Sequence, residues 1–438
     1  MTDDYRARRL RDFRLNFEQQ QKRAKELLKA ARAGDPMALA GFAGRQPKLA
    51  EAQFLIAREL RFESWAALKR HIAEMVLARQ AMNASVLDND LRTLHVRCGA
   101  DLKEPLRAAG FRGDFYDHTY PYLLGPVRDG PDCLKQRARF VVERYADMFD
   151  PPWDPLDPDT IEGQLKGLQS QENVLHDSWH YERVVIWSEY DCHDQLTLIR
   201  LLGHYATHRR PPHLELINLG DFPGARRFLG LGELPPEALR MLWTRRKPTS
   251  VAQLQLGRAA WLCLADPDPR PLAAIARSDS PALPLLARAL HRHLQELPST
   301  INGLSLTEQL ALTLLALEPH SLNRMYWTMV YSTDPLPGQG DWTVRCRVLD
   351  MEHADSRVYT RSPGVDHEGR ARSPWTDVFE ITELGRAVLR GEVDFRSLNP
   401  PPRWVGGVEI GAGRVDWRWN EQLRDPVRQQ NRPASVSG

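Results

Sequence analysis

The segment VVIWSEYDCHDQL, residues 184–196, places an apolar run directly before a cluster of ionisable side chains. The cluster contains Glu189, Asp191, His193 and Asp194. If VVIW is a strand of a parallel sheet, these residues lie at its carboxyl end, where open α/β sheets bind ligands. Carboxylate oxygens on a short loop suit a hard cation such as Mg²⁺. The same pattern also suits a plain helix start, with Asp191 as N-cap and Asp194 in the first turn.

Two other turns carry residues of the same kind. In RCGADL, Gly99 permits a tight strand-to-helix turn and Asp101 begins the next helix, whose first amides suit an anion such as phosphate. In FYDHTYPYLLGPV, Asp117 occupies a similar position. Because the carboxyl ends of parallel strands meet at one edge of a sheet, we predict that these acidic turns converge on a single crevice.

These patterns assign candidate roles. We predict that the catalytic residues are Asp117, Asp191 and Asp194. The residues predicted to bind the ligand are Gly99, Asp101, Arg137, Arg139 and Glu189. Either arginine can bind a phosphate or carboxylate through two parallel N–H groups. The alternative is that the arginines pair with the acidic residues themselves.

Histidines occur twice at a spacing of four, as His176 with His180 and as His204 with His208. This spacing places two imidazoles on one helical face and can bind zinc. No neighbouring cysteine or carboxylate completes either set, so we interpret these residues as surface histidines. The sequence has no phosphate loop, no GxGxxG after a strand, no HExxH and no GxSxG. It therefore specifies no reaction, and enzymatic activity is left open.

The order of helices and strands predicts an α/β fold. Residues 92–232 alternate between strands and helices, which indicates a central, mostly parallel sheet with flanking helices. Residues 1–82 are predicted to form a helical N-terminal module and 233–300 a helical subdomain. Residues 301–421 follow a winged-helix-like order, opened by an S-x-x-E capping box. The polar segment 422–438 is predicted to be disordered.

The two terminal regions suggest partners. The segment AEAQFLIARELRFESWAALKRHI looks like the helical lead-in of some bacterial ankyrin-repeat proteins, which implies protein docking through the N-terminal helices. Basic residues in this module are spread along its helices, as expected for a solvated face. In the C-terminal region, the candidate recognition segment NRMYWTMVYS carries Arg324 as its only basic residue. This weakens the prediction of DNA binding.

Composition restricts the class of protein. Fifty-nine basic and 57 acidic residues give a net charge of +2 over 438 residues, so no global attraction to nucleic acid or anionic membrane is expected. Five scattered cysteines, without a CxxC pair, argue against a disulfide framework or a zinc ribbon. No apolar run is long enough for a membrane span. We therefore expect a cytoplasmic protein without a membrane partner.

The chain resembles a bacterial family known as domain of unknown function 1835. The resemblance rests on LHVRCGADL, DHTYPYLLGP, VVIWSEYDCHDQLTLIRLL and PALPLLARALHRHLQELPSTINGLSLTE, which span about 94–310. It places Asp117, Asp191, Asp194 and Gln195 on the family's polar motif positions, and so implies that Gln195 also binds the ligand. One alanine separates Gly99 from Asp101, where the family has strand-G-D-S.

Three functions follow as hypotheses. The preferred one is an α/β domain that binds a small anionic or nucleotide-like ligand at the acidic edge of the sheet, with enzymatic turnover uncertain. The competing one is a regulatory or adaptor protein, acting on DNA through the C-terminal region or on a protein through the N-terminal helices. The third is a purely structural interaction protein without a ligand.

Overall fold

The computed structural model describes residues 13–82, 84–130, 132–146, 154, 157–225, 227–364, 374–411 and 415–430. The α-helices in these ranges are α1 (Phe17–Arg32), α2 (Pro36–Gly41), α3 (Leu49–Glu59), α4 (Trp65–Ala81), α5 (Lys103–Ala108), α6 (Cys133–Tyr145), α7 (Pro158–Asp177), α8 (Cys192–Thr207), α9 (Pro236–Trp243), α10 (Val251–Ala265), α11 (Arg270–Arg277), α12 (Leu286–Leu294), α13 (Leu306–Leu317), α14 (Leu322–Thr328), α15 (Asp341–Asp350) and α16 (Glu383–Leu389).

The strands are β1 (Thr93–Arg97), β2 (Asp114–Asp117), β3 (Arg183–Glu189), β4 (His213–Leu219), β5 (Lys247–Pro248), β6 (His320–Ser321), β7 (Tyr359–Ser362), β8 (Val378–Ile381), β9 (Arg403–Val405), β10 (Val408–Ile410), β11 (Val415–Asn420) and β12 (Asp425–Gln430).

The chain forms two compact units, and each collects segments that are distant in sequence. The first unit contains Met1–His118, Ser178–Tyr190 and Pro211–Thr249. The second contains Thr119–Asp177, Asp191–Arg210 and Ser250–Gly438. The segment 92–232, predicted as one α/β domain, is thus shared between the two units.

A five-stranded sheet organises the first unit. Its strand order is β2-β1-β3-β4-β5, with β1 to β4 parallel and β5 antiparallel to β4. Every residue of β1 and β3 is buried, as expected for strands covered on both faces. A mostly parallel sheet within an α/β fold was predicted, and this part of the prediction is confirmed.

Aromatic side chains fill the core beside this sheet. Phe111 makes edge-to-face contacts with Trp187 on β3 and with Trp243 on α9, at ring distances of 5.9 and 5.1 Å. His95 on β1 lies among the same rings, where its Nδ1 accepts a hydrogen bond from Trp187 Nε1 (3.2 Å) and its Nε2 bonds Asp88 (2.9 Å). Both nitrogens are therefore occupied, and we interpret His95 as a core residue.

The N-terminal helices α1 to α4 have a core of their own, which includes Ala24, Phe42, Ile56 and Leu68. Side-chain caps set where these helices begin. Asp35 accepts the amide of Ala38 at 2.8 Å, and Ser64 accepts that of Ala67 at 3.1 Å. Each cap satisfies one of the first backbone amides of its helix, which have no partner within the helix.

Helices dominate the second unit. Helix α8 packs closely against α10, because Gly203 and Gly257 leave no side chain between them. A Cβ atom on Gly257 would come within 2.4 Å of Leu202 Cβ. Helices α6 and α7 pack against each other, and α12 packs on α8.

The C-terminal part of the second unit runs α13, β6, α14, α15, β7, β8. Its three strands form an antiparallel sheet of order β6-β8-β7. Ser305 and Glu308 form the predicted capping box at the start of α13. One hairpin pairs β9 with β10, and a second pairs β11 with β12. Strand β12 lies within the segment predicted to be disordered, whose last residues, 431–438, lie outside the described residues.

In the described part of the chain, no helix combines the length and the apolar character that crossing a bilayer requires.

Candidate functional site

The residues predicted to form one crevice belong to different units. Gly99, Asp101, Asp117 and Glu189 lie in the first unit. Arg137, Arg139, Asp191, Asp194 and Gln195 lie in the second. We therefore describe the two groups separately.

In the first unit, the acidic residues at the sheet edge surround an arginine. Arg97, the last residue of β1, donates from Nη2 to Glu189 and forms a two-point contact with Asp101, each bond at 3.1 Å. The other carboxylate oxygen of Glu189 accepts the backbone amide of Leu231. Asp117 ends β2 and pairs in register with Arg97. Arg97 was not among the predicted site residues, although a basic residue that ends a buried strand could have indicated it.

The chain itself fills this edge of the sheet. A Cβ atom on Gly230 would lie 2.6 Å from Glu189 Oε1, and one on Gly232 would lie 2.6 Å from Asp101 Oδ2. Gly99 has φ +90°, as its predicted turn requires. These contacts give Asp101 and Glu189 structural roles around Arg97. Ligand binding by Gly99, Asp101, Asp117 or Glu189 stays a prediction.

In the second unit, Asp191 acts as the cap of α8. Its Oδ1 accepts the amide of Asp194 at 2.8 Å, and its side chain lies so close to Gly338 that a Cβ there would come within 2.2 Å of Asp191 Cβ. Asp194 and Gln195 are buried in the first turn of the same helix. These contacts are those of the plain helix start that the sequence offered as an alternative. Binding of Mg²⁺ or another cation stays a prediction.

Arg137 and Arg139 differ sharply, although both lie on α6. Arg139 is exposed and approaches Glu143 at 3.7 Å. Arg137 is buried, with 3% of its surface exposed, and donates to the carbonyl oxygens of Pro121 (2.6 Å) and Pro126 (3.3 Å). Only Arg137 therefore occupies a site where an anion would be held away from water.

A cavity of about 310 Å³ opens beside Arg137 in the second unit. Residues from α6, α7, α8, α10 and the segment 120–130 line it. Its charged lining consists of Arg128, Arg137, Arg200, Arg258, Asp129 and Glu172. The four arginines exceed the two carboxylates, so the cavity has a positive potential.

The two carboxylates already have partners among the arginines. Glu172 bonds Arg200, and Asp129 lies 3.4 Å from Arg258. Arg128 donates instead to the carbonyl oxygens of Ala265 and Gly407. In the described part of the chain, Arg137 likewise has no carboxylate partner.

Aromatic rings hold the Arg137 guanidinium in place. Tyr120 and Tyr122 stack with their centroids 5.2 Å apart, and the guanidinium lies 4.6 Å from the centroid of Tyr120. A cation over a ring face is attracted by the ring quadrupole. Burial nevertheless lowers the pKa of Arg137, because the rings do not replace the lost hydration. An anion in the cavity would supply the missing counter-charge.

Three histidines lie at the same place. His204 and His208 stack with ring centroids 4.2 Å apart, and His176 meets both edge-on, at 6.4 and 6.0 Å. His204 and His208 line the cavity. His204 is buried, so its interpretation as a surface histidine was wrong. The spacing of four in the sequence identified His204 and His208 as a pair. His176 lies on α7, and its contacts with this pair become visible only in the structure.

We compared the chain with protein-family models, with curated proteins and with solved structures, and none of the three comparisons found a match. The resemblance to domain of unknown function 1835 stays a prediction.

Proposed function

We propose that this protein binds a small anionic ligand in the cavity of the second unit, where Arg137 receives the anion. The proposal keeps the ligand class predicted from the sequence and changes its location. Arg137 is the one member of the predicted site that lines the cavity.

The burial of Arg137 without a carboxylate carries this proposal. Removing a guanidinium from water costs several kcal/mol unless a counter-charge accompanies it. Two carbonyl oxygens and two ring faces compensate only in part. An anion bound in the cavity therefore gains an interaction with a cation that is already desolvated and already oriented, which favours tight binding.

The decisive experiment measures anion affinity in variants of the two neighbouring arginines. Isothermal titration calorimetry of the full chain with inorganic phosphate, and separately with AMP, should give saturable binding. Arg137→Met should weaken it about tenfold or more, since a charged hydrogen bond contributes about 1.5–3 kcal/mol. Arg137→Lys should retain part of the affinity, because it keeps the charge.

Arg139→Met provides the matched control, because the exposed Arg139 lies on the same helix and does not line the cavity. Its affinity should equal that of the wild-type protein. Equal losses in Arg137→Met and Arg139→Met would indicate nonspecific electrostatic attraction and refute the proposal. Absence of binding of either probe to the wild-type protein would refute it as well.

We also propose that residues 301–421 contain a winged-helix-like unit. The element order helix, strand, helix, helix, strand, strand from α13 to β8 supports this proposal, as does the β6-β8-β7 sheet. DNA binding is not part of it. In the predicted recognition segment NRMYWTMVYS, Arg324 pairs with Glu318. On the next helix, α15, Arg345 and Arg347 are buried, and Arg347 Nε lies 3.6 Å from Glu296. Arginines in such positions are not free to contact phosphates.

A further inference from the structure

The ring of His204 provides information about the ligand beyond its charge. His204 lies on α8 with 6% of its surface exposed, and it lines the cavity. Its Nε2 is buried and has no hydrogen-bond partner among the described residues. A buried polar atom without a partner is uncommon in proteins, because the lost hydration costs about 1–3 kcal/mol. Because the His204 ring lines the cavity, a group bound there is the candidate partner for Nε2.

The charge state of His204 restricts what that group can be. Burial, together with the smaller effects of the neighbouring His208, Arg200 and His176, lowers the pKa of His204 to about 3. The ring is therefore neutral over the physiological range and does not act as a second cation. A neutral imidazole has one N–H donor and one acceptor nitrogen. The tautomer decides whether Nε2 donates or accepts, and a hydroxyl group suits either case because it can do both.

The other lining residues and the volume agree with this chemistry. Burial raises the pKa of Tyr120 and Tyr122, so both phenols stay protonated and neutral. Thr207 adds a further hydroxyl. The cavity volume of about 310 Å³ lies in the range of small-molecule sites, which leaves room beyond a single phosphate or carboxylate group.

We propose that the ligand is a hydroxylated anion, whose phosphate or carboxylate group binds at Arg137 while a hydroxyl group hydrogen-bonds to His204. This inference rests on the proposed anion-binding function and adds the ligand's chemical class. His204 is then a specificity-determining residue, which distinguishes hydroxylated anions from plain ones of equal charge.

Matched pairs of probes test the inference on the full chain. Glycerol 3-phosphate and propyl phosphate differ in their hydroxyl groups, and so do glycerate and propionate. In calorimetric titrations, the hydroxylated member of the phosphate or the carboxylate pair should bind about tenfold more tightly, the contribution of one hydrogen bond to an otherwise unpaired buried group. Whichever pair of probes shows this difference in affinity identifies the anionic group of the ligand as a phosphate or a carboxylate.

Variants of His204 assign the effect to this ring. His204→Leu should bind the two members of the pair equally, while His204→Gln should keep part of the difference. His204→Leu should also stay folded, because it removes an unpaired polar atom. If it does not, His204→Met replaces it. His213→Leu, at the exposed start of β4, should behave as the wild-type protein.

The outcomes separate the two proposals. Equal affinities of the wild-type protein for both members of each pair, with binding still dependent on Arg137, would overturn the hydroxyl inference and leave the anion site intact. A preference that survives in His204→Leu would overturn the role of His204. If no probe binds, both proposals fall.

Discussion

At the scale of single residues, identical side chains take different roles according to what surrounds them. Arg137 and Arg139 are two positions apart on α6, yet the first is buried beside Tyr120 and the second pairs with Glu143 at the surface. The sequence selected both as anion ligands, because the residue type and the helix were readable. The sequence did not distinguish the two arginines, because their burial depends on the segment 120–130, which packs over only one face of α6.

His293 provides a prediction at this scale, because neither of its ring nitrogens has a hydrogen-bond partner among the residues that the structure describes. Burial lowers its pKa from 6.5 to about 4. Between pH 6.5 and about pH 4, His293 is therefore protonated in the unfolded chain but neutral in the folded protein. The free energy of unfolding decreases as the pH falls through this range. We expect His293→Leu to remove this part of the acid sensitivity.

Urea unfolding between pH 7.5 and 4 measures the effect. The free energy of unfolding of His293→Leu, relative to that of the wild-type protein, should increase by about 1.4 kcal/mol for each pH unit below 6.5. His213→Leu, which removes an exposed histidine, should follow the wild-type curve. Parallel curves for His293→Leu and the wild-type protein would show that His293 does not stay neutral in the folded state.

At the scale of elements, the sequence predicted local features such as helix caps and strands correctly, but it did not predict how the elements pack together. The capping box at Ser305 was read correctly, because a cap depends on residues three or four positions apart. The strand VVIW and its parallel neighbours were also read correctly from their apolar runs. Asp191 was offered both as a cap and as a ligand, and the cap is what the structure shows directly.

The cavity, in contrast, had no local signature. Its walls come from α6, α7, α8 and α10, which contribute residues between 120 and 261. Each arginine or tyrosine in it looks unremarkable in its own segment. The loop at Gly230 and Gly232 that fills the sheet edge was equally hidden, because a close approach by glycine becomes visible only in three dimensions. The sequence therefore identified Arg137 as a candidate residue, but it did not predict the cavity that this side chain lines.

The close contact between α8 and α10 gives a prediction at the element scale. Gly257→Ala should destabilise the protein by about 1–3 kcal/mol, because the new methyl group would overlap Leu202. Gly167→Ala on α7 is the matched control, since a Cβ there meets nothing within 4 Å. It should stabilise the protein by about 0.5–1 kcal/mol through helix propensity.

Urea unfolding of the two alanine variants, at one protein concentration and pH, measures the effect. If helix packing decides the result, the free energy of unfolding decreases in Gly257→Ala and increases in Gly167→Ala. The same sign for both would mean that α8 and α10 can separate without cost, and that the cavity between them is not rigid. Binding of phosphate to Gly257→Ala should also weaken, because α8 and α10 both line the site.

At the scale of the whole molecule, buried charges connect segments that the sequence assigned to different regions. Arg292 on α12 bonds Asp334 at 2.9 and 3.0 Å, and Glu296 at 2.6 Å. Glu296 also lies 3.6 Å from Arg347 on α15, and its backbone carbonyl accepts Arg403 of β9. The boundary predicted at residue 300 is therefore crossed by ion pairs inside the second unit, so we expect these segments to unfold together.

Removing Arg292 tests whether the second unit depends on this network. Arg292→Met leaves two buried carboxylates without their main counter-charge, and we expect it to lower the free energy of unfolding by about 3–5 kcal/mol. Arg390→Met, which breaks exposed pairs with Glu383 and Glu392, should cost far less, because solvent screens charges at the surface. Urea unfolding, followed by circular dichroism, measures both. Equal costs for the two variants would show that residues 250–300 and 301–430 are held together by apolar contacts alone, because the buried charges would then contribute no more than those at the surface.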